Sequence, residues 1–321
     1  MKKTMIVCLL VLAFVMNVHA FEKVGVTSFQ FLKISPDPSV AAMGGAYSSI
    51  SRGTESLFGN PAAMVYQKGF GTFISQTAYV FETTHSSVAA SWGFGDWAVG
   101  VYGMSVDYGS IQVTDIASLG YLDDGSFNPG LTGESLSLGA TDLGVGVSQR
   151  LTNKFSYGLI GKFVSEDFSV ISTDVVAWDI GVLYDSGFRS IVLAATLRNF
   201  GPQVKYLTQA YPLPQTMNLG VAAHLIGSGP SLLEKSSSHG VLLTADLVQP
   251  RDYAQQYNIG CEYSFKDMVF ARGGYRINYD TEGLNMGLGF KLKNVALNYS
   301  YSDYGDNSAG VHRFSIGFIN I

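Results

Sequence analysis

The side chains that could carry out catalysis or bind metal are few and poorly spaced for either. Beyond residue 20 there are four histidines, His85, His224, His239 and His312, and none stands four residues from another or beside a cysteine. Those are the spacings that bring imidazole and thiolate ligands to one zinc ion. Cys261 is the single cysteine after the first twenty residues, which leaves no partner for a disulfide or a thiolate cluster. Serines are abundant, but no Gly-x-Ser-x-Gly turn presents one as a nucleophile. Asp303, Asp306 and Asn307 offer oxygen ligands close together; they lack the twelve-residue loop and closing glutamate of a calcium site and read as solvated turn chemistry. The expectation is a protein that is not an enzyme and holds neither metal nor cofactor. With a net charge of −5 and no basic run beyond the start of the chain, it has no footprint for nucleic acid either.

A second group of charged residues is distributed differently. Asp142, Arg150, Lys162, Asp179, Arg198, Asp246, Glu262, Arg272, Arg276 and Arg313 are mixed in sign and scattered over stretches in which apolar residues recur with period two. Val295, Leu297, Tyr299 and Tyr301 alternate with Ala296, Asn298, Ser300 and Ser302, and Leu284, Met286, Leu288 and Phe290 with Gly283, Asn285, Gly287 and Gly289. Period two puts successive side chains on opposite faces of a strand. About fourteen such runs follow one another from Gly69 to the end, each long enough to cross an outer membrane when tilted. A soluble sandwich would show the same alternation with its oily face inward, so the connections are what discriminate. Short turns such as Gly95-Asp96 and Leu151 to Lys154 follow even-numbered strands, while the long segments 109–135 and 201–214 follow odd ones. That is the pattern of an outer-membrane barrel with periplasmic turns and extracellular loops; residues 227–238 depart from it. The fold class expected is all-β: a closed transmembrane antiparallel β-barrel of about 14 strands. The charged residues then point into the lumen, where Glu262 and Arg272 on neighbouring strands form an ion pair and Asp246 and Arg276 join a polar network.

Composition agrees. The chain has 20 Phe, 18 Tyr and 3 Trp among 321 residues, only 14% charged residues, and 37 glycines, which weaken helices. Lys2 and Lys3, an apolar run from Met5 to Val18, and the small side chains of Val18 and Ala20 around His19 form a signal peptide cleaved after Ala20. The apolar run is shorter than the ~20 residues that span a bilayer. The division expected is residues 1–20 as signal peptide, 21–68 as an N-terminal segment and 69–321 as the barrel.

Residues 21–68 have a texture of their own. Phe31 and Leu32 belong to an apolar stretch that Pro36 and Pro38 end, Met43-Gly44-Gly45 follows, and Asn60-Pro61-Ala62 pairs an N-cap side chain with proline at the first helical position. Too short to complete a core of its own, the segment is expected to fold into the lumen as a plug.

The run from Phe31 to Tyr47, FLKISPDPSVAAMGGAY, followed by Leu57-Phe-Gly-Asn-Pro-Ala-Ala-Met64, resembles the opening of PorV/PorQ family outer-membrane proteins. Asn199-Phe-Gly-Pro202, Ala245-Asp-Leu-Val248, Gly260-Cys-Glu-Tyr263, Arg272-Gly-Gly-Tyr275 and His312-Arg-Phe-Ser-Ile316 follow in that family's order. The resemblance implies a FadL-like barrel with an N-terminal plug in a Gram-negative outer membrane, and a part in type IX protein secretion. In that role the partners are membrane lipid, secreted cargo proteins and other secretion components. The alternative is a FadL-like passive channel for hydrophobic small molecules, since Asn60-Pro61-Ala62 is similar to an element of those transporters too. Tyr121, Leu122 and Phe127 in one outer loop and Tyr206, Leu207 and Tyr211 in another are the candidate partner contacts, because exposed aromatics add contact area at modest entropic cost. One departure is the last residue, Ile321, where barrel assembly signals usually carry an aromatic.

Overall fold

The computed structural model describes residues 26–169, 171–305 and 310–319. The expected cleavage site after Ala20, the outer-loop residues Asp306 and Asn307, and Ile321 lie outside the described residues. Fourteen strands form the wall: β1 (Gly69–Ala78), β2 (Thr84–Phe94), β3 (Trp97–Tyr121), β4 (Phe127–Thr152), β5 (Phe155–Asp167), β6 (Ser172–Asp185) and β7 (Val192–Phe200). They continue as β8 (Thr216–Gly227), β9 (His239–Pro250), β10 (Gln256–Phe265), β11 (Val269–Ile277), β12 (Leu284–Leu292), β13 (Val295–Ser302) and β14 (Val311–Ile319). Each pairs antiparallel with the next, and β14 pairs antiparallel with β1 from Gly71↔Ile319 to Ala78↔His312. The sheet is therefore closed and has no free edge, which also satisfies its backbone polar groups without water.

The alternation sorts the two faces. On β12, Leu284, Met286, Leu288 and Phe290 are exposed while Asn285, Gly287 and Gly289 are buried; Leu288 reaches 63% exposure. Similar rows of Val, Leu, Ile and Phe continue around the outside. An apolar belt of this extent matches a lipid-facing surface and not a water-soluble one. Phe70, Trp92, Phe94, Trp97 and Phe318 stand exposed near the short-turn end, where an aromatic girdle would meet headgroups.

The outer loops differ from expectation in one respect. Residues 109–135 are not a loop: β3 and β4 run on after a register shift between Asp107 and Ser110 and pair as far as Tyr121↔Phe127. The hairpin projects beyond the wall with both faces largely exposed, so no oily face imposes period two, whereas Ile111, Val113, Thr114 and Ile116 still favour extended backbone. Tyr121, Leu122 and Phe127 are exposed at its tip. The 201–214 loop contains a small hairpin, Val204–Lys205 against Ala210–Tyr211. On the opposite end, residues 228–238 tuck Glu234–Lys235 beside the end of β8, after a bulge at His224/Ile226.

Residues 26–68 lie against the inner face. The helix α1 (Pro38–Ala42) packs on β11–β14, and two 3-10 turns, Gly53–Phe58 and Pro61–Tyr66, pack on β1–β6. Pro38 ends the apolar stretch before it and also opens α1, because a proline costs nothing where the first N–H is unpaired; Asp37 Oδ1 accepts from Ser39 N at 2.8 Å. Asn60 Oδ1 accepts from Ala62 N at 3.0 Å in the same way. The wall beneath is cut away to receive these turns. A Cβ on Gly158 would stand 2.4 Å from the Pro61 carbonyl carbon, and one on Gly274 2.2 Å from Gly44 N. Here glycine is required by close approach of two backbones.

Substitutions at two positions test this arrangement. Leu288→Arg should cost roughly 2–4 kcal/mol if it meets the bilayer midplane, and Leu288→Phe much less; urea titration of the heat-modifiable band in lipid vesicles measures both. Gly158→Leu should leave the wall folded while exposing residues 26–68 to limited proteolysis. Equal tolerance of Leu288→Arg and Leu288→Phe would contradict a lipid-facing surface.

Candidate functional site

The polar inner face spends its hydrogen-bonding groups both on ion pairs within the wall and on residues 26–68. Asp246 on β9 is expected in a polar network with other lumenal side chains. Its Oδ2 instead accepts from Tyr47 N at 3.0 Å, Ser48 N at 2.9 Å and Ser48 Oγ at 2.7 Å. A turn enclosed in a barrel has backbone N–H groups that no helix or sheet satisfies, and a carboxylate is a strong acceptor for them. Arg276 on β11 donates to Gly44 O at 3.1 Å and pairs with Glu282. Arg313 on β14 donates to Ser35 O at 3.1 Å, and Asn60 Nδ2 donates to Ser48 O at 2.7 Å and to Val182 O at 3.2 Å. At the outer end Asp252 binds Thr27 Oγ1 at 2.7 Å and Lys33 Nζ at 2.6 Å.

Three ion pairs join strands among the described residues, the longest of them Arg198 on β7 with Asp179 on β6 at 3.7 Å. Glu262 and Arg272 meet at 2.6 Å, with Arg272 also donating to Asn298 Oδ1 at 2.8 Å. Lys162 on β5 and Asp179 on β6 meet at 2.8 Å, both side chains almost fully buried. A buried pair of this kind pays desolvation that its Coulomb attraction only partly offsets, so its remaining hydrogen bonds matter. They come from a bulge in β7: Trp178 pairs with Phe200 and Ile180 with Leu197, leaving Arg198 and Asn199 together opposite Asp179. Asn199, at φ 57°, donates its N–H to Asp179 Oδ1 at 2.6 Å and accepts from Lys162 Nζ at 2.5 Å. Asparagine tolerates this left-handed backbone better than most residues.

The segment divides the lumen. Toward the long loops lies a cavity of about 480 Å³ whose lining includes Tyr47, Tyr79, His85, Arg198, Arg276 and Arg313. Toward the short turns lies another of about 390 Å³, lined by Asp37, Glu55, Glu262, Arg272 and Lys291 among others. Gly45 borders the first and Met43 the second, as Ser35 and Asp37 do a few residues earlier, so the turn between Met43 and Gly45 is one part of the partition. Gly44 and Gly45, at φ 68° and 79°, make that turn, and it sits on glycines of the wall: a Cβ on Gly260 would fall 2.5 Å from Met43 Cβ. Elsewhere in the wall, β2, β3 and β4 pair without interruption from Trp97 to Asp107.

The residues expected to act together are thus brought together in part. Phe31 and Leu32 join a buried cluster with Phe29, Met104 and Val164, and Pro38, Met43, Gly44, Gly45, Asn60, Pro61 and Ala62 are buried. Arg150 belongs to no lumenal network: it pairs with Asp96 at 2.8 Å at an exposed short turn, because its strand has left the membrane there. The six outer-loop residues do not form one surface. Tyr206 is half-buried, donating to Glu166 Oε2 at 2.6 Å and lying 6.4 Å from the Phe29 ring, and Tyr211 packs against it, while Leu207 is exposed. Sequence reasoning missed Asn199, whose signal was its place before Phe-Gly-Pro, and His85, which had none.

No family model and no curated protein matches the chain. Among solved structures it is similar to the toluene transporter TbuX of Ralstonia pickettii, at 12% identity and a TM-score of 0.59 over 88% of this chain and 98% of that one. The toluene transporter TodX of Pseudomonas putida matches at 14% identity and 0.57, over 87% and 96%. A FadL homologue of Pseudomonas aeruginosa matches at 9% identity and 0.52, over 89% and 98%. At such identities the likeness is one of architecture: the chain has a FadL-like fold, a closed fourteen-stranded antiparallel β-barrel.

Proposed function

We propose that this chain is an outer-membrane conduit for hydrophobic small molecules, closed by residues 26–68 acting as a plug. The observation that carries the reading is a FadL-like lumen holding two cavities separated by the N-terminal segment, in a barrel similar in architecture to two toluene transporters. Transport is axial, from the outer cavity past Met43–Gly45 to the inner one, and needs that turn to leave its seat on Gly260 and Gly274. No chemistry is performed on the solute. The second reading, a PorV/PorQ-type component of type IX secretion that receives cargo at the cell surface, draws on the sequence resemblance and on the projecting β3–β4 hairpin. There Tyr121 and Phe127 meet edge to face with ring centroids 5.5 Å apart. The solved structures favour the conduit.

Glu55, in the 3-10 turn facing the inner cavity, gives the plug a dependence on pH. Burial pushes its carboxyl up to about 7 from the ordinary 4.5 of a glutamate, with Asp37 adding to the rise. The seated plug therefore holds a proton that the displaced, hydrated segment releases between these values. Seating is favoured below pH 4.5 and loses that contribution as pH rises to 7. Amide exchange of residues 26–68 should quicken from pH 5 to pH 8, after correction for intrinsic rates, and Glu55→Gln should flatten the trend. A slope identical in both proteins would remove Glu55 from the account.

Two further measurements address the function. In planar bilayers the intact protein should be silent, and a barrel lacking residues 26–64 should conduct; conductance of similar size in both would refute the plug. Cells deprived of the protein should take up toluene more slowly while keeping their secreted surface proteins. Loss of those proteins with uptake unchanged would replace the conduit by the carrier.

A further inference from the structure

The outer cavity is not lined as a pocket for a bare hydrocarbon would be. Three guanidinium groups border it, and two have a carboxylate at hand: Arg198 lies 3.7 Å from Asp179, and Arg276 pairs with Glu282. Arg313 does not. It is 1% exposed, donates to Ser35 O at 3.1 Å and to Ser302 Oγ at 2.9 Å, and forms no ion pair among the described residues. Among the described residues it has no counter-charge, and a cation so held from water is an unfavourable arrangement that an anion entering the cavity would relieve.

A second observation points to the same corner. His85 on β2 lines the cavity, is 1% exposed, and neither of its ring nitrogens has a hydrogen-bond partner. Buried imidazoles usually find one, so two idle nitrogens are vacant positions for a ligand's polar atoms. Tyr79 stacks edge-on against His85 at 5.6 Å between ring centroids, and Tyr304 against Tyr79 at 5.4 Å. Tyr47 and Tyr279 also border the space, which leaves flat aromatic walls around a cationic floor. At about 480 Å³ the cavity is within the range of small-molecule sites and has room for one substituted ring.

We infer that the outer cavity binds an aromatic monocarboxylate of about benzoate size, its carboxylate between Arg313 and His85 and its ring among the tyrosines. The inference rests on the conduit reading and narrows its solute from hydrocarbons to aromatic acids. Arg313 supplies two N–H donors on a planar group that matches a carboxylate, and His85 supplies a third. Seating a carboxylate there also competes with Ser35 O for the Arg313 guanidinium, a contact that holds the plug.

Equilibrium dialysis of radiolabelled benzoate against the full-length protein in detergent, with toluene and palmitate as competitors, tests this. Saturable one-to-one binding is expected, weakened at least tenfold in Arg313→Gln and weakened again in His85→Leu, with neither competitor displacing it at equal concentration. The heat-modifiable band shows that each variant is folded, and His85→Leu carries the test should Arg313→Gln fail to assemble. Toluene binding without benzoate binding would overturn the inference and leave the conduit standing; binding of neither, together with unchanged uptake in cells lacking the protein, would overturn both. Benzoate binding that survives both substitutions, or that palmitate displaces, would overturn the site or the aromatic class.

Discussion

An irregular stretch of backbone enclosed in a barrel must have its polar groups satisfied by the wall that encloses it. Water cannot do this freely where the chain is packed, and short turns satisfy few of their own N–H and C=O groups. Asp246 accepts two main-chain N–H groups and one hydroxyl from Tyr47 and Ser48, Arg276 and Arg313 donate to the carbonyls of Gly44 and Ser35, and Asn60 reaches both Ser48 and Val182. The same contact requires space, which wall glycines such as Gly158 and Gly274 provide. Three of the lumenal charged residues, Asp246, Arg276 and Arg313, are thereby engaged in seating residues 26–68 before any solute is considered.

On the proposed conduit reading, residues 26–68 form a barrier made of discrete, breakable contacts. Between the outer and inner cavities stands the N-terminal segment, whose turn from Met43 to Gly45 is held by hydrogen bonds from its neighbours and by shape against Gly260 and Gly274. Displacing it breaks a few hydrogen bonds of ordinary strength, each worth about 0.5–1.5 kcal/mol net for neutral groups and somewhat more for the charged ones. A solute that offers the same wall groups replacement partners lowers that cost. Arg313, bound to Ser35 and bordering the outer cavity, is positioned for such an exchange.

The Lys162–Asp179 pair serves another end. It is far more buried than Glu262–Arg272, and the β7 bulge supplies the extra hydrogen bonds that make so dry a pair tolerable. The bulge also turns Arg198 toward the cavity beside Tyr47, its guanidinium 5.7 Å from the ring centroid. A local irregularity in one strand thus fixes both a structural ion pair and a group that a solute would meet.

How much of this was legible in the sequence depended on which physical signal carried it. Alternation of apolar and polar residues determined the strands, their number and the outward face of positions such as Leu288, because a lipid-facing wall imposes period two on every strand that crosses it. Caps and prolines at Asp37-Pro38 and Asn60-Pro61 marked the turns of the N-terminal segment, since those signals are local. The Glu262–Arg272 pair followed from register between adjacent strands. Alternation lapsed where both faces of the β3–β4 hairpin meet solvent, so that hairpin read as a loop. Contacts across the lumen were decided by tertiary structure alone: Asp246 with Ser48, Tyr206 with Phe29, and the idle nitrogens of His85 beside Arg313. Residues about two hundred positions apart meet there because the barrel closes around the segment, and no periodicity along the chain encodes which inward side chain faces which turn.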